Sequence, residues 1–340
     1  MPVVISHNSA LELLRAVPPQ VRAYPRVSEA LDMGLISTDS RELRRLDLSE
    51  FGIRRVPVHV LAAKGVRAIQ SEAFETHNVG LPVMPEGLLL ELAPDVYAAG
   101  PELCFVQMAR GFSLVGAVVL GCELCGRYSH FSEMVSGYYE RPPLTSVEKI
   151  GEVVDALSGL YGLSRAREAL RWVCDAARSP METVLTGELF LPGRHRGLAF
   201  VRPELNYVVP LDDAAAAVTG TRSCSIDIAW PAVRRGAEYD SLEFHLDPEK
   251  DLRRKEALEH MDWTINTIKL DQMSDHAELM GAVALFEDEI PRQPGGPAPA
   301  EQVAELYQRL LKATRCGVGL ERALFGVPVS HGAVKLHVRG

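Results

Sequence analysis

The sequence predicts an α/β (α+β) protein of two domains. Its 340 residues give room for about two domains. Short apolar runs alternate with the period of strands. Between them stand S/T-x-x-E pairs of the kind that open helices. An apolar content of 47% and a charged content of 24% fit a globular core and no disordered chain. No apolar run reaches the length of a membrane span. The opening M-P-V-V-I-S-H-N-S-A lacks the basic-then-apolar layout of a secretory signal. Six cysteines in a chain of this size suggest reduced thiols rather than a disulfide framework, and so a cytoplasmic location with no membrane partner. The net charge of −9 argues against a general nucleic-acid binder but leaves room for a local basic face. Positive charge gathers at Arg194–Arg202 and at Lys250–Lys255, runs that solvated surfaces commonly show.

In chain order, residues 1–16 read as a short strand followed by a helix, with Ser9 and Glu12 as its capping box. His7, ahead of that helix, is expected to satisfy a local hydrogen bond. Residues 55–62 (R-V-P-V-H-V-L-A) alternate as a strand, and Pro57 suggests an edge or a strand start. Residues 88–96 are apolar. Helical patterns cover 101–108 and, as a buried helix, 111–125. Cys122 and Cys125 form a single C-x-x-C on that helix, and their leucine neighbours suit a core better than a zinc site.

Three stretches of this half resemble the core domain of AbiEi-type antitoxins, the partner proteins of abortive-infection toxin–antitoxin systems. They are I-S-H-N-S-A-L-E-L-L-R, V-P-V-H-V-L-A and V-Y-A-A-G-P-E-L-C-F-V-Q-M-A. The resemblance covers about residues 1–135, is structural rather than catalytic, and implies a cognate toxin protein as a possible partner. The first domain is accordingly expected over 1–140.

R-P-P-L-T at 141–145 is a break, followed by two helices opened by Thr145 with Glu148 and by Ser164, a connector over 141–178. In S-P-M-E-T, Ser179 suits an N-cap, Pro180 the first helical position, and Glu182 the far side of a capping box. A strand is expected at 205–209 and a small Ala-rich insertion at 212–220. Two alternating runs then flank Pro231, a hairpin by pattern. Asp227 lies inside the first run, and Glu238 and Asp240 end the second on one side, since side chains alternate along a strand. Three carboxylates converging there would repel unless a divalent cation neutralised them. A basic-sided helix is expected at 247–261 and a last strand at 263–268. P-R-Q-P-G-G-P-A-P-A is a linker by composition, and an amphipathic helix at 302–311 and a strand-like end at 327–340 follow it.

The order helix, three strands, helix, strand resembles the αβββαβ core of the PD-(D/E)xK, restriction-endonuclease-like fold. More closely, four blocks resemble very-short-patch-repair-like endonuclease domains: S-P-M-E-T, D-I-A-W-P, E-Y-D-S-L-E-F-H and D-L-R-R-K-E-A-L-E-H-M-D-W. This implies a nuclease-like domain over 179–290 with a central mixed sheet, ahead of a tail over 291–340. It also implies Mg²⁺ (or Mn²⁺) held by Asp227, Glu238 and Asp240, with Glu182 as an outer or shared ligand. His245 would be a general acid or base, Lys250 and Arg254 phosphate contacts, and DNA the substrate. The usual lysine two residues past the acid is replaced by Asp240, which cannot supply its positive charge. The sequence thus predicts either a metal-dependent endonuclease in a defence or toxin–antitoxin setting, or an inactive nuclease-fold antitoxin or regulator.

Overall fold

The structure, a computed structural model, describes residues 1–16, 24–131, 134, 136–240, 248–284 and 288–315. It is a mixed α/β protein. The chain enters through β1 (Val3–Ile5), α1 (His7–Leu14), β2 (Leu31–Asp32) and α2 (Ser40–Leu43). It continues through β3 (Val58–Ala62), β4 (Phe74–Asn78), β5 (Val83–Met84), β6 (Leu89–Ala93) and β7 (Val96–Ala99). Five of these strands make a mixed sheet in the order β4-β3-β1-β7-β6. β3 runs parallel to β4 and antiparallel to β1, and β1 runs parallel to β7. Strands buried on both faces read as continuous apolar runs, as V-V-I does in β1. α3 (Pro101–Ala109) and α4 (Leu114–Cys125) are buried along nearly their whole length. β8 (Tyr128–His130) and β9 (Tyr138–Glu140) form a short hairpin, followed by α5 (Val147–Ala156) and α6 (Leu163–Leu170).

The second sheet follows α7 (Pro180–Phe190). It contains β10 (Glu204–Pro210), β11 (Ser223–Trp230), β12 (Arg235–Asp240) and β13 (Thr264–Lys269), in that order. α8 (Asp213–Thr219) is the expected insertion between β10 and β11, and α9 (Pro248–His260) crosses from β12 to β13. The first three strands pair antiparallel, and β13 lies parallel to β12. α10 (Leu270–Ser274), α11 (His276–Val283) and α12 (Ala300–Arg315) close the described chain. One large apolar cluster runs from Val3 through α3, α4 and α7 to Ile228, Trp230, Ile268 and Ala313. A smaller one, including Ile226, Ala257, Leu258 and Trp263, lies by α8 and α9.

Several expected details differ. The first helix starts at His7, two residues ahead of the expected cap. Ser9 is thereby inside the helix, where its Oγ accepts the His59 backbone N–H (2.9 Å). Glu12 accepts the N–H groups of Arg54 and Arg55. α5 is capped by Ser146, because Thr145 is occupied donating to buried Glu102 (2.6 Å). Gly162, not Ser164, precedes α6. Ser179 does cap α7. The Pro/Gly stretch after 290 is no free linker: Gln293 donates to the carbonyls of Phe190 and Phe200 (2.6 and 2.7 Å). That contact lays α12 on α7, where Gly187 leaves the space taken by Leu310; a Cβ there would stand 2.8 Å from Leu310. The expected strand at 327–340 lies outside the described residues.

Candidate functional site

On the second sheet, strand register builds a polar row. Antiparallel pairing of Leu205 with Ile228 and Tyr207 with Ile226 sets Asn206 across from Asp227. Pairing of Ile228 with Ala237, carried one residue further, sets Asp227 across from Glu238. Residues opposite one another in an antiparallel pair share a face, so Asp227 and Glu238 stand on the same side. Glu182 reaches the row from α7: its Oε2 accepts from Asn206 Nδ2 (2.8 Å) and from the Arg178 N–H (2.9 Å). Asn206 has φ 49°, a conformation asparagine tolerates better than most residues, and its Oδ1 is buried with no hydrogen-bond partner.

Burial pushes the Asp227 carboxyl up to about 7, and the neighbouring carboxylates of Glu182 and Glu238 add to the rise. The Tyr239 N–H, donated to Asp227 Oδ2 at 3.2 Å, offsets only part of it. Glu182 is also raised, by burial foremost. Glu238 is held differently. Arg254 grips it with both terminal nitrogens, one bond being 2.9 Å, and also donates to the Ser225 carbonyl. The cation expected to meet phosphate therefore neutralises an expected metal ligand. Lys250 is exposed on α9. Asp240 is half-buried at the end of β12, beside Lys269 of β13 in register. His245 lies outside the described residues. Asp227, Glu238 and Asp240 do not gather their oxygens into one tight group: among the described residues, only His59, Glu75 and His77 bring three ligand atoms within 4.8 Å of one another.

That second cluster sits on the first sheet and could hold a metal ion. Parallel pairing puts His59 beside Glu75 and Leu61 beside His77, while the two-residue period puts Glu75 and His77 on one face. His59 Nδ1 lies 2.8 Å from His77 Nε2, and Glu75 Oε1 lies 3.8 Å from the same nitrogen. Burial holds both imidazoles down at about 4, leaving them neutral at pH 7. His7 makes the expected local contact, Nδ1 to Ser6 Oγ at 3.0 Å, and also stacks on His77 at 3.7 Å between centroids. The sequence carries a trace of this site in E-x-H at 75–77, but His59 joins only through the parallel pairing of β3 and β4. Cys122 and Cys125 are buried in α4, and burial pushes Cys122 up to about 11, a thiol suited to packing.

No family model matches the chain. No solved structure matches it. Two uncharacterized proteins from two strains of Mycobacterium tuberculosis are each 34% identical to it over 128 residues. That stretch is 37% of this chain and 42% of each relative, so the match spans less than half of their length. Neither relative's name carries a function.

Proposed function

We propose that the second sheet carries a divalent-cation site for phosphodiester hydrolysis in DNA, with Mg²⁺ or Mn²⁺ as the ion. The observation that carries this reading is Asp227, half-buried between two other acids and pushed up to about 7. Such a carboxyl is held in wait for a proton or a cation. The donors fit a hard ion: carboxylates of Asp227, Glu182 and Glu238, plus the unpartnered Asn206 Oδ1. Asp227 would be the principal ligand, and Glu238 would join when Arg254 turns to a substrate phosphate. The ion would activate a water and offset charge on the scissile phosphate. Asp227 and Glu182 then hold the ion and its waters, while α9 presents Arg254 and Lys250 to the backbone.

A second reading is favoured by the Arg254 fork on Glu238 and by Asp240 in the lysine position. In it the same fold binds DNA or a toxin protein without cleaving. The test is cleavage of plasmid and mismatched duplex DNA with Mg²⁺ or Mn²⁺, by wild type and Asp227→Ala. Cleavage by wild type alone supports the hydrolytic reading. Cleavage that survives the substitution discredits the site, and no cleavage with metal present moves the assignment to binding alone.

A further inference from the structure

The first sheet carries chemistry that phosphodiester hydrolysis does not use. We propose that His59, Glu75 and His77 bind a transition-metal dication of the zinc class, whose open coordination position faces a cavity and takes a small oxyanion.

Two imidazoles and one carboxylate are the donor set of zinc sites that keep a fourth position for water or ligand. His59 Nδ1 and His77 Nε2 already face each other at 2.8 Å. Around zinc, tetrahedral nitrogens stand roughly 3.3 Å apart, so the rings need to part by only about half an ångström. One of these two nitrogens carries the proton they share, so metal binding needs that ring to take its other tautomer. His59 Nε2 lies 3.4 Å from the Asn8 amide. With Nδ1 on the metal, Nε2 carries the proton, and the amide turned over offers it an oxygen, the kind of support that ligating histidines use.

His77 carries the cluster to a cavity of about 280 Å³, which Thr76, His7, Gln107, Arg110 and Tyr161 also line and which His59 and Glu75 do not reach. The Arg110 guanidinium lies over the Tyr161 ring, 4.5 Å from its centroid. A dication and a guanidinium on one small cavity select an anion, and carboxylate or phosphate matches the fork of arginine. His7 reaches this wall with φ 48°, a left-handed conformation costing on the order of 1 kcal/mol in a non-glycine residue. The Gln107 side chain, accepting the His7 N–H at 3.1 Å, holds it there.

Titration calorimetry of the whole chain with Zn²⁺, and the visible spectrum of the Co²⁺-loaded protein, test the metal. One tight equivalent is expected in wild type and in Asp227→Ala. Glu75→Gln, on a half-exposed side chain that folding tolerates, should weaken it at least about tenfold, and His77→Gln more. Absence of that equivalent in wild type, or its survival in a folded His59→Gln/His77→Gln protein, overturns the site. Inorganic phosphate should shift the Co²⁺ bands of wild type and fail to shift those of Arg110→Met. An equal shift in both removes the anion from the proposal.

Discussion

The two sheets each concentrate groups that repel when charged, and they relieve the repulsion in opposite ways. The first gathers imidazoles, which burial keeps neutral at pH 7. The second gathers carboxylates. There one acid takes an arginine, Glu238 with Arg254, and another, Asp227, is pushed toward holding its proton. A cluster of bases can wait empty at neutral pH, whereas a cluster of acids needs a counter-charge. That contrast separates the two proposed sites, one of two imidazoles and a carboxylate for a borderline metal and one of oxygen donors for a hard cation.

The largest expected effect belongs to a buried ion pair, to be set against the partly open pair of Arg254 with Glu238. Glu123 is buried at 1% exposure and grips Arg15 at 2.5 and 2.8 Å. Burial opposes its ionisation, yet Arg15 and then His130 hold it down to about 2. Glu123→Ala removes the carboxylate that Arg15 grips from a buried site, and should cost about 3–5 kcal/mol in urea unfolding. A loss below about 1 kcal/mol would mean that water reaches this pair.

Next comes pH. Asp227 is raised when folded, so its stabilisation is complete below its unfolded value near 4 and is lost as pH rises toward about 7. His59 and His77 are lowered when folded, so their contribution is complete above about 6.5 and is lost as pH falls toward about 4. Metal-free melting from pH 4 to 8 should therefore respond to Asp227→Asn and to His59→Gln/His77→Gln with slope changes of opposite sign, each on the order of a few kcal/mol over its window. Changes of the same sign would break the comparison.

The smallest effect is at Arg254, whose pair with Glu238 is partly open to solvent. Arg254→Met should cost under about 1 kcal/mol while enlarging the rise in melting temperature that Mn²⁺ gives, because Glu238 is released to the ion. A smaller Mn²⁺ response would show that the guanidinium helps to build the site.

Much of the fold was legible because it is local. The alternation at 224–230 and 235–240, the Ser179 cap and the amphipathic stretch at 302–311 each lie within one element. The caps placed at Ser9 and Thr145 failed because distant partners, the His59 N–H and Glu102, claim those hydroxyls. The candidate sites divide along the same line. Asp227 and Glu238 sit on a hairpin, where pattern fixes pairing. His59 with His77, and Arg254 with Glu238, meet across crossovers that sequence spacing does not encode.

The continuous apolar cluster joins both sheets through α4, α7 and α12, with Gly187 seated against Leu310. Severing the chain near residue 178 would strip α4 of the packing it receives from the later helices. A core shared in this way predicts that the two halves melt as one cooperative body, and that an ion captured on either sheet would slow amide exchange on the other.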